Sequence, residues 1–145
     1  MSDPDQYYLH VSSKDSEKFY PKNTGKDFRV NLVNPLHLEK EWECALLATT
    51  LAGKWNGGVK GLALCCNICS ETNYYGTMKQ VLRELQARDF KGGRVIYQKP
   101  LYVDIITPEI KTLELCLKGS GEEATDPRVT ALYLTLHLRR KKKQR

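Results

Sequence analysis

Residues Ala131 to Arg145 read ALYLTLHLRRKKKQR, and the first half of that stretch decides the fold. Leu132, Leu134, Leu136 and Leu138 fall on one side of an extended chain, while Tyr133, Thr135, His137 and Arg139 fall on the other. A period of two with a leucine-only face describes a strand that lines a core. Its register is strongly specified, because a slip of one residue would turn all four leucines to solvent. The second half differs in kind: Arg139 to Arg145 carries six cations in seven residues, and like charges at that density repel one another into solvent.

The same period runs upstream. Runs rich in Val, Ile, Leu, Tyr and Thr predict strands at Tyr7 to Ser12, Phe28 to Val33, Trp42 to Leu51, Leu62 to Cys69, Arg94 to Ile106, Thr112 to Lys118 and Val129 to Arg139. Between them lie YPKNTGKD, NPLHLEK, AGKWNGG, KGG and KGSGEEATDP, turn signals whose residues supply positive φ or interrupt a ladder. Pro100 cannot donate to a ladder, so the run from Arg94 to Ile106 should be an edge strand, a bent one, or two pieces.

One segment breaks the rhythm. In GTMKQVLRELQARD, Met78, Val81, Leu82 and Leu85 recur at helical spacing, and Thr77 with Gln80 makes a capping box. This predicts a short helix over Thr77 to Ala87 with its apolar stripe toward the core. The expected class is all-β, a β-sandwich with one short helix in a loop.

A chain of 145 residues with 41% hydrophobic content suits one globular domain with a sizeable core. It carries 23 Lys and Arg against 17 Asp and Glu, and without Arg139 to Arg145 the balance is 17 against 17. A domain that holds nucleic acid across its folded surface normally builds a basic face into its body. Here the excess is terminal, which divides the chain into a body, 1–138, and a basic tail, 139–145. The chain does not open on a basic segment followed by an apolar one, and no run approaches the roughly 20 apolar residues of a membrane span. A soluble, intracellularly made protein without membrane contact is expected. Five cysteines, an odd number without a secretory signal, read as reduced thiols rather than a disulfide framework.

Sites of chemistry are scarce. Cys66 and Cys69 stand at CxxC spacing, but in a strand they point to opposite faces, and no second pair completes four ligands. Cys44 and Cys116 sit in apolar strands, where cysteine behaves as a small hydrophobe. His10, His37 and His137 are far apart, and none adjoins a Ser, Cys or carboxylate signature of nucleophilic catalysis. GxGxxG and GxxxxGK(S/T) are missing, and KGSGEE is too acidic to cradle phosphate. No catalytic residue, metal ligand or cofactor is predicted, and enzyme is the weakest functional class.

Three stretches carry a family resemblance. Tyr7 to Thr50, YYLHVSSKDSEKFYPKNTGKDFRVNLVNPLHLEKEWECALLATT, orders a Ser-rich first strand, then FYPKNTGKDFRVNL, then a Pro-Leu turn into LEKEWECALL. Leu101 to Arg140 sets TLELCLK before a polar loop and a Leu-rich strand ending LTLHLRR. LALCCNICSETNYYG and the KWN at Lys54 to Asn56 lie between them. This order resembles the penton, or minor capsid, proteins of polinton-like elements, adintoviruses and adomavirus-like DNA viruses, without the long insertions that larger members carry.

The resemblance implies a single jelly roll that assembles as a homopentamer at capsid five-fold vertices, beside the major capsid protein of the same virus. It also implies a location in the virion capsid and in the host nucleus during assembly. Arg139, Arg140, Lys141, Lys142, Lys143 and Arg145 then have three readings: contact with packaged genomic DNA through phosphates, a nuclear-import signal, or a solubilising tail. The competing function is a small nucleic-acid-binding β domain that uses the same tail. Such a binder needs exposed aromatics as a stacking platform, and Tyr7, Tyr8, Tyr74, Tyr75, Tyr97 and Tyr102 are the candidates. Paired tyrosines at strand ends also pack at sheet rims and subunit interfaces.

Overall fold

The leucine face of the last strand lies at the centre of two packed sheets. The computed structural model describes residues 5–54, 61–119 and 128–142. Among them run β1 (Gln6–Ser12), β2 (Asp27–His37), β3 (Trp42–Lys54), β4 (Gly61–Cys66), β5 (Thr72–Tyr74), β6 (Thr77–Lys79), β7 (Val81–Gln86), β8 (Arg94–Ile96), β9 (Val103–Asp104), β10 (Glu109–Lys118) and β11 (Arg128–Arg140). One sheet has the order β1-β11-β3-β8, with β9 also paired to β3. The facing sheet has the order β2-β10-β4-β7, and β5 and β6 form a small separate hairpin. The ladders are antiparallel.

With β8 and β9 counted as two pieces of one strand along β3, the two main sheets hold eight strands, of which the first pairs with the last and the second with the last but one. That wrapped Greek-key order is a jelly roll. Phe28, Leu62, Leu85, Leu113 and Leu115 of one sheet meet Leu46, Leu132 and Leu136 of the other. All four leucines of β11 are at most 2% exposed, as the period-two reading requires.

The helix expected over Thr77 to Ala87 is absent: β6 and β7 occupy that stretch, and one helical turn follows at Ala87–Phe90. The spacing that suggested a helix has another origin. The β4–β7 ladder slips between Leu64 and Cys65, so that Arg83 faces Leu64, Val81 faces Cys65, and Leu82 is the extra residue of a bulge. The bulge lets Leu82 and Leu85 both face the core despite their odd separation, while Met78 is left 60% exposed. Gln80, the supposed capping-box residue, instead donates from Nε2 to the carbonyls of Asn67 at 2.9 Å and Cys69 at 2.8 Å.

Other boundaries shift for similar reasons. The NPLHLEK signal does hold the end of β2, but later than Val33, because the strand continues through Asn34 and Pro35 to His37 across a ladder irregularity opposite Ile110 to Thr112. β2 is an edge strand, where proline is tolerated. The run containing Pro100 does split in two, with β8 and β9 both along β3. Cys66 and Cys69 do not point to opposite faces: β4 ends at Cys66, the Cys69 amide donates to the Cys66 carbonyl at 3.1 Å in a turn, and both side chains enter the core. The body does not end at Leu138, since Arg139 and Arg140 complete β11 opposite Glu43 and Trp42 of β3. Expectations touching Trp55, Asn56, residues 120–127, Lys143 and Arg145 lie outside the described residues.

The outer edge of β2 is covered by the loop that precedes it. Asn23 Oδ1 accepts from the Arg29 amide at 3.0 Å, its Nδ2 donates to the Arg29 carbonyl at 2.9 Å, and Ser16 Oγ accepts from the Asn31 amide at 3.0 Å. Side chains thereby satisfy edge groups that would otherwise template another strand.

Candidate functional site at the end of the last strand

The side of β11 opposite its leucines carries His137 and Arg139, and register fixes their neighbours. Across β1, Tyr8 faces His137 and Gln6 faces Arg139; across β3, Ala45 and Glu43 take the same places. Tyr8 stacks on the imidazole with centroids 4.5 Å apart and planes at 12°. Tyr102, just before β9, meets the ring edge-on at 5.8 Å and 74°.

Both ring nitrogens are engaged: Nδ1 with Tyr102 Oη at 2.8 Å and Nε2 with Gln6 Oε1 at 2.8 Å. An amide oxygen only accepts, so Nε2 carries a hydrogen, and in the neutral imidazole Nδ1 accepts from the tyrosine hydroxyl. Burial, helped by the Arg139 charge, holds the His137 pKa below its ordinary value.

The cations that follow are tied to carboxylates. Arg139 Nε donates to Glu43 Oε2 at 2.6 Å while its guanidinium lies 3.4 Å above the Tyr102 ring centre. Arg140 pairs with Asp5 at 3.2 Å and lies 5.8 Å from the Trp42 ring centre. Lys141 Nζ donates to Asp104 Oδ1 at 3.0 Å, and this hydrogen bond raises the lysine pKa. Lys142 is exposed. Exposed ion pairs stabilise little, but a phosphate approaching these three cations competes with a carboxylate already in place.

The sequence pointed to the cations and missed the carboxylates that hold them, Asp5, Glu43 and Asp104, and the Gln6 that holds His137. Period two in QYYLHVS places Gln6, Tyr8 and His10 on one outward face, a signal that was legible. Pairing of the first strand with the last was needed to bring that face to His137.

The six tyrosines do not form a platform. Tyr7 stacks on Trp42 at 5.5 Å, and Tyr8 and Tyr102 enclose His137. Tyr97 lies under the Arg83 guanidinium at 3.9 Å. Tyr74 is buried on the facing sheet's outer side with exposed Tyr75 edge-on to it at 4.8 Å. The rings are thus divided between the two sheets.

The histidines also stay apart. His10 Nδ1 lies 3.2 Å from Thr135 Oγ1, and His37 pairs with Glu109 at 3.2 Å. All five cysteines are free thiols. Cys44, Cys66 and Cys69 are fully buried, and burial raises the Cys44 pKa. Among the described residues no three His, Cys, Asp or Glu converge to hold a metal ion, and no helix is long and apolar enough to cross a membrane. No protein-family model matches this chain, and no curated protein matches it.

Proposed function

We propose that the chain is a structural capsid subunit, a single jelly roll that self-associates as a pentamer at five-fold vertices beside a major capsid protein, with no catalytic role. The observation that carries this reading is the strand order, the full eight-strand jelly roll that the penton-like order of FYPKNTGKDFRVNL, LEKEWECALL and LTLHLRR implies. A cyclic ring joins two different flanks of each subunit. Exposed apolar side chains lie on two such flanks: Phe19 and Val33 beside the β1 and β2 edges, and Ile96, Leu101 and Ile106 beside β8 and β9. The virion is the corresponding location, with assembly in the host nucleus.

The nucleic-acid-binding reading is weaker because Arg139, Arg140 and Lys141 already face Glu43, Asp5 and Asp104. In the capsid reading the genome contact or nuclear-import role falls to the residues beyond this paired set, from Lys142 onward.

The test is native mass by light scattering, after nuclease treatment and at moderate salt, for the full chain and for a chain ending at Arg140. Truncating there keeps β11 whole. A mass near five subunits in both forms is expected. A monomer in both, or a multimer that dissolves with nuclease or truncation, overturns the proposal.

A further inference from the structure

On the outer face of the sheet away from the His137 cluster, Cys65 of β4 and Cys116 of β10 are direct cross-strand partners. Their chain neighbours Leu64, Cys66, Leu115 and Leu117 point into the core, so these two thiols share the opposite face. Cys65 is buried beneath Tyr74, and Cys116 is half-buried beside it. A cleft of about 520 Å³ opens over the pair, lined also by Asp27, Arg29, Lys79 and Lys118.

The ladder defines the spacing. The Asn67 amide donates to the Glu114 carbonyl at 3.1 Å, two positions along in the same register, and the Leu117 amide turns the other way to the Lys26 carbonyl at 2.8 Å. Even-numbered residues of β10 therefore hydrogen-bond to β4, and Cys65 with Cys116 occupies a hydrogen-bonded pair. Such pairs hold their Cα atoms about 5.5 Å apart, inside the 4.4–6.8 Å span of disulfides. Side chains stand farther apart there than at the alternate sites, so a bridge forms under strain, and strained bridges are the readily reduced ones.

We propose that Cys116 and Cys65 form a reversible thiol–disulfide exchange site for small-molecule disulfides, Cys116 attacking and Cys65 resolving. The exposure of Cys116 to the cleft and the burial of Cys65 beneath Tyr74 set that order. The electrostatics agree: a hydrogen bond from the Cys65 thiol, with Lys118 nearby, pulls the Cys116 pKa down to about 7, while the same contact raises that of Cys65.

In the first step the Cys116 thiolate attacks one sulfur of a disulfide RSSR. A Cys116–SR bond forms and RS⁻ leaves, taking up a proton. Cys65 then loses its proton and attacks Cys116 Sγ, expelling the second RS⁻, which is protonated in turn. The two protein thiols are oxidised to one disulfide and RSSR is reduced to two RSH; excess RSH reverses both steps. The bridge joins the two central strands of its sheet.

The experiment exposes the native full-length chain to oxidised glutathione at pH 7.5, then counts free thiols after denaturation and maps disulfide-linked peptides. Five thiols should fall to three, with one linked pair containing Cys65 and Cys116, and dithiothreitol should restore all five. Cys65→Ser should stop at one glutathione adduct, on Cys116. Retention of all five thiols in the wild-type chain, or a linked pair that includes Cys44, Cys66 or Cys69, overturns the proposal. The wild-type mapping decides the matter even where a variant fails to fold.

Discussion

Tyr102 Oη lies 2.8 Å from His137 Nδ1, on the side of the imidazole away from the hydrogen donated to Gln6. Burial and the neighbouring Arg139 charge favour the neutral ring, in which Nδ1 accepts from the hydroxyl. Because the folded pKa of His137 is lowered, the unfolded chain takes up the proton first as pH falls. The stability this group confers is complete above its ordinary value of 6.5 and is lost as pH drops below it. The urea midpoint should decline between about pH 7 and pH 5, and His137→Gln should flatten the decline. An unchanged pH slope in that variant would remove His137 as the source.

Tyr102→Phe deletes the hydroxyl and keeps the ring under Arg139. It should cost about 0.5–1.5 kcal/mol by urea denaturation at pH 7.5, the usual net worth of one hydrogen bond. A neutral result would mean that water replaces the hydroxyl without loss.

Gly25 abuts the start of β11. A Cβ there would lie 2.5 Å from the Val129 carbonyl oxygen, 2.7 Å from Thr130 C and 2.8 Å from the Ala131 nitrogen, all backbone atoms. Backbone cannot rotate aside as a side chain can, so Gly25→Ala should destabilise by about 1–3 kcal/mol. A thermal or urea midpoint equal to that of the parent would show that the loop moves freely off the strand.

Gln80→Ala removes the amide that joins the Asn67 and Cys69 carbonyls. The expected loss is about 1–3 kcal/mol, with Gln80→Glu also destabilising because a carboxylate cannot donate to them. Equal stability of parent and both variants by urea denaturation would contradict the clamp.

Glu43→Gln combined with Asp104→Asn should release Arg139 and Lys141 for anions. The double variant should elute from immobilised DNA at higher salt than a control carrying Glu17→Gln and Glu71→Gln, which changes net charge equally elsewhere. Identical elution of the two would mean that total charge, and not the paired carboxylates, governs retention.

Much of the sandwich was legible because leucine alternation in β11 and the turn chemistry around Asn23 to Asp27 each have a local cause. The segment from Thr77 to Gln86 misled because its decisive event is a bulge at Leu82, made by a partner strand that sequence spacing does not reveal. The His137 cluster has the same character. His137 looked like an unremarkable polar position until β1 was laid beside β11, from opposite ends of the chain, and Gln6, Tyr8 and Tyr102 closed around it. The cations of the C-terminal stretch were plain in the sequence, whereas their carboxylate partners depended on the register of three different strands.

The central place of β11 in its sheet also sets the timing of that sheet's completion. β1 and β3 flank a gap that only β11 fills, and about 70 residues separate the end of β3 at Lys54 from the start of β11 at Arg128. At roughly 5–20 residues per second, that is on the order of 10 s during which two unpaired edges face each other across an empty seam. Pairing of such distant segments is intrinsically slow. Until β11 emerges the chain carries these two unpaired edges, and a chaperone that shields β1 and β3 would act on it then.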